Sequence, residues 1–404
     1  MTIFIFKRAF ENSYQDIFQK VLVGMKVAST RLQAELKYGV SVDRARLDLS
    51  AIRVRAVTEN IDRVIDPLTD SRETMPINRK FGTTFPISTI EKTQAGPLNP
   101  GNYAGAKVAN KLAIFVDADI LAETLNAYAD FDLGDLTTTV SSGVPFSLNT
   151  AANVEDFVTR APAKLGRNNQ TQTDLCLVID NYGAAAMSKY LLGKNIDLAG
   201  SVYKNGYTGS VSNAEMYVSE NLTGEATLLS TGTFTDTQTV VIGGVTLYTM
   251  TSLATVNAGG TTAGNVLIGA NAAATITNLA ALINNPGTTT AQGVALSTAN
   301  QIIIQDVLRL TATATSATVL TIVGRGSGRL TLSETQTNAS WSNNFIHAYF
   351  GKKGAIDVVI QDKVDMEMRD EPKQRTTNIF ADILYGVYTF DDGKQQFLDV
   401  LIQA

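Results

Sequence analysis

Phe81-Gly-Thr-Thr-Phe-Pro-Ile-Ser-Thr-Ile90 alternates apolar and polar residues with the two-residue period of a strand, and the chain beyond it switches to the period of a helix. From 103 to 128 the apolar side chains Val108, Leu112, Phe115, Val116, Ile120, Leu121 and Leu125 recur at helical spacing, and Ala104, Ala106, Ala109 and Ala113 add propensity. At 1.5 Å per residue such a helix extends about 39 Å, close to the width of a small domain. Pro97, Pro100 and Gly101 separate it from the strand.

Upstream, Asp48-Leu-Ser-Ala-Ile-Arg-Val-Arg-Ala-Val57 alternates in the same strand fashion. Between the two strands lies a charged, turn-prone stretch holding Asp62, Arg63, Asp66, Asp70, Arg72, Glu73, Arg79 and Lys80. Two strands around a polar excursion predict a long hairpin projecting from the body. An isolated hairpin is marginally stable in water, so the 41–100 region is expected to lie against a neighbouring subunit.

Before it, Ile17, Phe18, Val21, Leu22, Met25, Leu32 and Leu36 are spaced helically over 14–37, and Gly39 stops the pattern. Residues 1–40 read either as a helical arm with one sticky face or as an ordinary core helix. Beyond the long helix, helical patterns at Val154–Leu165 and Tyr182–Leu192 flank the strand Asp174-Leu-Cys-Leu-Val-Ile-Asp180, and a strand follows at Glu215–Val218. This is a compact α+β domain running to about Leu222.

Residues 223–340 are compositionally foreign. Their charges are Glu225, Asp236, Asp306, Arg309, Arg325, Arg329 and Glu334, with no lysine. Thr237–Thr249 reads as a hairpin around Gly243-Gly244, Asn271–Ile283 as a helix, and Ile302–Ile304, Leu308–Ala314 and Thr318–Val323 as strands. A β-rich domain inserted into the host fold is expected. Charged and aromatic composition returns from Trp341, and Ile379–Phe390 and Gln395–Ile402 bracket Asp391-Asp392-Gly393, a hairpin turn signal.

The chain has 404 residues, 44% of them hydrophobic and 18% charged, enough to bury a sizeable core. Its net charge of −5 argues against a protein that grips nucleic acid, though not against one that encloses it. Met1–Phe6 is too short for a signal-peptide core, and Lys7-Arg8 follow it instead of preceding it, so synthesis in the cytoplasm is expected. No run approaches the roughly 18 apolar residues of a membrane span.

Catalytic raw material is scarce. One histidine, His347, and one cysteine, Cys176, leave no Ser-His-Asp or zinc constellation of common spacing; Cys176 reads as core packing and His347 as a packed or interfacial imidazole. Gly324-Arg-Gly-Ser-Gly-Arg329 does not continue into a phosphate loop and reads as turn glycines. Asp62, Asp66 and Asp70 would share one face if helical, but lack the calcium-loop pattern. No enzyme activity, cofactor or metal is expected. Charge carries more information as interface chemistry. Arg44 and Arg46, then Arg53 and Arg55, are each two apart, which in a strand puts each pair on one face, and the excursion between the strands supplies the carboxylates Asp62, Asp66, Asp70 and Glu73. With Arg72, Arg79 and Lys80 these are the candidate intersubunit contacts. A solubilising strand face is the alternative.

Four passages resemble the major capsid proteins of tailed phages and herpesvirus shells: Ile77–Lys92 leading into Gly105–Ala113; Asp174–Asp180 with its following helix; Tyr203–Leu222, ending in Ser219-Glu-Asn-Leu222; and Val364–Pro372 through Ala381–Phe390 to the terminal hairpin. The resemblance implies an N-terminal arm (1–40), an extended loop (41–100), a peripheral domain with a spine helix (101–150, completed by 341–404), an axial domain (151–222) and a β-rich insertion (223–340). It implies self-assembly into pentamers and hexamers that form an icosahedral head around double-stranded DNA. It further implies a virion location, a scaffolding protein, a portal and decoration proteins. A tail-tube, baseplate or fibre protein is the rival reading.

Overall fold

The structure, a computed structural model, describes residues 23–34, 39–48, 52–53, 55, 66, 69–88, 100–137, 143–167, 173–194, 207–211, 214–371 and 376–403. The first strands are β1 (Ser41–Asp48), β2 (Thr69–Pro76), β3 (Arg79–Ser88), β4 (Asp130–Phe131), β5 (Phe146–Ser147), β6 (Leu175–Ile179), β7 (Tyr207–Val211) and β8 (Ala214–Val218). Then come β9 (Thr223–Ser230), β10 (Gln238–Ile242), β11 (Val245–Met250), β12 (Asn265–Leu267), β13 (Leu310–Ala314), β14 (Val319–Gly324) and β15 (Leu332–Glu334). The last are β16 (Ala339–Lys352), β17 (Asp357–Glu371), β18 (Thr376–Tyr388) and β19 (Phe397–Gln403). The main helices are α1 (Pro100–Ala122), α2 (Ala151–Arg167), α3 (Asn181–Lys194), α4 (Ala272–Asn284) and α5 (Thr298–Ile302).

The chain divides into two compact units. One comprises residues 1–18, 28–112 and 356–390, the other 19–27, 113–355 and 391–404. In the first, β1 pairs antiparallel with β2, and β17, β18 and β3 form a long antiparallel sheet. Leu32, Val42, Met75, Ile77, Val359 and Phe390 make its buried cluster. The segment entering β1 is stitched to β17: Arg31 forms a two-point pair with Asp357 (3.0 and 2.7 Å), and Val358 N donates to Ser29 O at 2.9 Å.

This pairing corrects the expected hairpin. Among the described residues, no pairing joins Asp48–Val57 to Phe81–Ile90. The ribbon is instead 41–48 against 69–76, while β3 joins the C-terminal strand β18. Polar strands such as Ser41–Asp48 carry no apolar period, so their register was not written in hydrophobicity. Most of 48–57, and half of the expected arm helix over 14–37, lie outside the described residues. In the described half a single helical turn at Gly24–Val27 and a 3-10 turn at Arg31–Ala34 are separated by Ser29, which bridges to β17, so the continuous helix does not form there.

In the second unit a ten-stranded sheet runs in the order β13-β14-β9-β16-β6-β8-β7, with β19 also on β16 and β4 and β5 on β19. Strand β6 is buried along its whole length, which explains the continuous apolar run Leu175–Ile179. Phe131, Phe146, Phe157 and Phe350 pack edge-on and tilted beneath α2, with centroids 5.5–5.9 Å apart. Helix α1 from Val116, and the 3-10 turn that follows it as far as Thr124, are buried on every side.

The 223–340 segment is not a separate lobe hung on the host. Its strands β9, β14 and β13 extend the host sheet, because β9 pairs with β16. Gly224 makes the junction close: a Cβ there would stand 1.9 Å from Gly328 O. A second sheet, β12-β11-β10-β15, and α4 enclose a core of Val240, Ile242, Leu247, Ile276, Leu279 and Ile283. The Gly243-Gly244 hairpin forms as expected, both glycines having positive φ. Ile302–Ile304 is not a strand; Ser297 caps α5, which runs on into a π turn at Ile303–Val307. Nor do the last two strands form a hairpin, since β18 pairs with β17 and β3, and β19 with β16.

Candidate assembly interface

Among the described residues, the β1–β2 ribbon is anchored at its base. Val42 and Met75 are buried at its base, whereas Asp43, Ala45, Asp70, Ser71, Arg72 and Thr74 are exposed and Arg44 and Glu73 half-buried. Past the base, the face that continues from Val42 and Met75 is half-covered at Arg44 and Glu73, while the opposite face is exposed at Asp43, Ala45, Arg72 and Thr74. The ribbon holds itself together by polar cross-links. Arg72 donates to Asp43, and Thr74 Oγ1 donates to the same carboxylate at 2.7 Å. The Arg72 hydrogen bond, with that of Thr74, holds the Asp43 carboxyl below its ordinary range.

Further along, Arg55 grips Asp66 with two nitrogens (2.9 and 2.8 Å), while Arg53 N donates to Asp66 at 2.8 Å. The Arg55 hydrogen bond comes first in lowering the Asp66 pKa. Arg44 stands opposite Glu73 in register, with its guanidinium 5.2 Å from the Phe390 ring centre. Lys80 lies 3.8 Å from Asp382 on β18, and Arg79 opens β3 opposite Tyr385.

The structure thus brings Arg53, Arg55 and Asp66 together, and Arg44, Arg72 and Glu73 onto the ribbon. Asp70 sits on β2 and Asp66 outside any helix, so these aspartates share no helical face. Asp62 lies outside the described residues, as does the side chain of Arg46, whose backbone faces Ser71.

Sequence reading missed a second set of charges, buried inside the other unit. Asp117 on α1 accepts from Gly24 N (2.6 Å), Asn221 Nδ2 (2.8 Å) and Ser219 Oγ (3.2 Å), so the Ser219-Glu-Asn221 tail holds the carboxylate that ties the incoming chain to the spine. Burial pushes the Asp117 carboxyl up. Asp119 pairs with Arg309 at 2.5 Å, and Asp180 with Arg329 at 2.6 Å. His347 is a packed core residue, with Nδ1 2.7 Å from Asp399 and Nε2 3.3 Å from Glu225. Three of the few charges in 223–340, Glu225, Arg309 and Arg329, therefore face buried host partners. Their partners lie 122 to 190 positions away, where no local motif could announce them. Cys176 is buried and burial pushes its thiol up to about 12, consistent with a packing role.

No family model and no curated protein matches the sequence. Solved structures do. Over 95% of its length the chain is similar to a structure from Mycobacterium phage Che8 (13% identity, 91% of that chain, TM-score 0.44). It is similar over the same share to the capsid structure of cyanophage P-SCSP1u (10% identity, 89% of that chain, TM-score 0.49). The mature capsid of bacteriophage PhiM1 is a third such structure (95% of this chain, 87% of that one, 8% identity, TM-score 0.47).

Proposed function

We propose that the protein is the major capsid protein of a tailed bacteriophage, a structural subunit that assembles into pentamers and hexamers tiling an icosahedral head. The observation that carries this reading is the β1–β2 ribbon, anchored at its base by Val42 and Met75 and, among the described residues beyond them, exposed at Asp43, Ala45, Asp70, Ser71, Arg72 and Thr74. Burying one face against a second copy of the chain supplies the apolar and polar contacts that a two-stranded ribbon lacks alone. Arg44, Arg53, Arg55, Arg72, Glu73 and Asp66 are then positioned to set register between copies.

On this reading 1–40 is the arm, 41–100 the extended loop, 101–150 with 341–404 the peripheral domain, 151–222 the axial domain and 223–340 the insertion. The shell encloses double-stranded DNA without reading it, in keeping with the net charge of −5. A scaffolding protein, a portal and decoration proteins are its partners, and the virion head its location after assembly in the bacterial cytoplasm. Electron micrographs of the expressed protein, with and without co-expressed scaffold, test the proposal. Closed shells or capsomers support it; rings, tubes or trimers assign the chain to a tail, baseplate or fibre instead.

A further inference from the structure

We propose that Asn284 guards the free edge of the ten-stranded sheet against pairing with a second copy of the chain. Strand β13 is the outermost strand at one end of that sheet and is bonded to β14 on one side only. A free edge exposes backbone donors and acceptors to any strand that comes alongside, and proteins usually deter this with lysine, proline, a bulge or inward charge. None of these is present in Leu310-Thr-Ala-Thr-Ala314, and its register with β14 runs unbroken from Leu310 to Ala314. Thr311, Thr313 and Ala314 are exposed.

In place of those deterrents, the last residue of α4 lays its carboxamide against the middle of the strand. Asn284 Nδ2 donates to Ala312 O at 2.8 Å, and Ala312 N donates to Asn284 Oδ1 at 2.8 Å. Donating to and accepting from one residue reproduces the doubled contact between hydrogen-bonded partners of an antiparallel pair. A carboxamide alone offers both functions at this length; aspartate lacks the donor and alanine lacks both. The helix delivers it to a fixed point, since Asn271 caps its start at Ala274 N (2.9 Å) and Ile276, Leu279 and Ile283 are buried in the core.

The occupant kept out is β13 of another copy, whose uncharged edge meets its own twin without repulsion. The guard matters most in a chain that is crowded among its own copies, and it acts at this edge whether or not the chain builds a shell. The test compares the full-length chain with Asn284→Ala and with Asn284→Ala combined with Thr313→Lys. In dilute solution, hydrogen exchange at the Ala312 amide is expected to quicken about tenfold in both variants, as for loss of one net hydrogen bond. Sedimentation should show Asn284→Ala associating at concentrations where the parent chain does not, and Thr313→Lys should reverse that association. Unchanged exchange, unchanged sedimentation, or association that the added lysine fails to reverse would each overturn the proposal, the last by tracing the defect to lost folding.

Discussion

Arg329 Nε lies 2.6 Å from Asp180 Oδ2, joining the glycine-rich end of the 223–340 segment to the residue that follows β6. Asp180 is fully buried and also accepts from Gly183 N at the start of α3, so the aspartate serves as helix cap and ion-pair partner at once. Gly326 and Gly328, both with positive φ, carry the chain close against Ala118 and Glu220 to bring the arginine into place. Truncating Arg329 to Met strands a buried carboxylate. A loss of about 3–5 kcal/mol is expected in urea unfolding, and pairing the change with Asp180→Asn should recover part of it.

The His347–Asp399 pair gives a pH signature. Burial works against the imidazolium, but the Asp399 carboxylate and its hydrogen bond, with Glu225, outweigh it and raise His347 from 6.5 to about 10. Below pH 6.5 the imidazole is protonated in folded and unfolded chains alike, and the pair's stabilisation is complete. As pH rises from there through 10, the unfolded chain gives up a proton that the folded chain keeps, and the stabilisation drains away. The Tm difference between the parent and His347→Gln should be widest below pH 6.5 and should close towards pH 10. A gap that widened with pH would refute the assignment.

Gly224→Ala tests the junction between β9 and its surroundings. The added methyl would meet the backbone oxygen of Gly328, which no rotamer change can move aside. A destabilisation of roughly 1–3 kcal/mol or more is expected, read as a lower denaturant midpoint, whereas Gly244→Ala meets no atom within 4 Å and should act only through its positive φ.

Charge reversal at Arg53 and Arg55 separates folding from assembly. Arg55 is exposed and Asp66 half-buried, a surface pair whose contribution to the stability of one chain is modest. The double variant should keep the parent's unfolding midpoint and lose particle yield. Unaltered particle yield and particle stability would remove these arginines from the interface.

Which parts of this molecule could be read in advance follows from where its information is local. Helix α4 was legible because Asn271 caps it and Ile276, Leu279 and Ile283 keep helical time; the Gly243-Gly244 turn was legible because its backbone needs positive φ. Strand β6 announced itself as an unbroken apolar run. Asp391-Asp392-Gly393 misled because good turn chemistry says nothing about which sheet each flanking strand will join. Ile302–Ile304 misled because three β-branched residues look like a strand until Ser297 is recognised as a cap. Of the interface, the composition of the ribbon was visible and its pairing was not, since Arg44 opposite Glu73 is a relation between polar strands. The buried carboxylates Asp117, Asp119 and Asp180 were invisible, each needing a partner that only the tertiary fold supplies.

At the boundary of the 223–340 segment, Ser230 sits beside Ala339 and Thr223 beside His347, so the outgoing and returning strands are hydrogen-bonded neighbours. A ladder of backbone hydrogen bonds laid across that boundary leaves no hinge at which the segment could nod or shear away from its host. Calorimetry on this unit should therefore record a single heat-absorption peak, and whatever presses on the outer face of the segment will be felt as tension in β16 and β6.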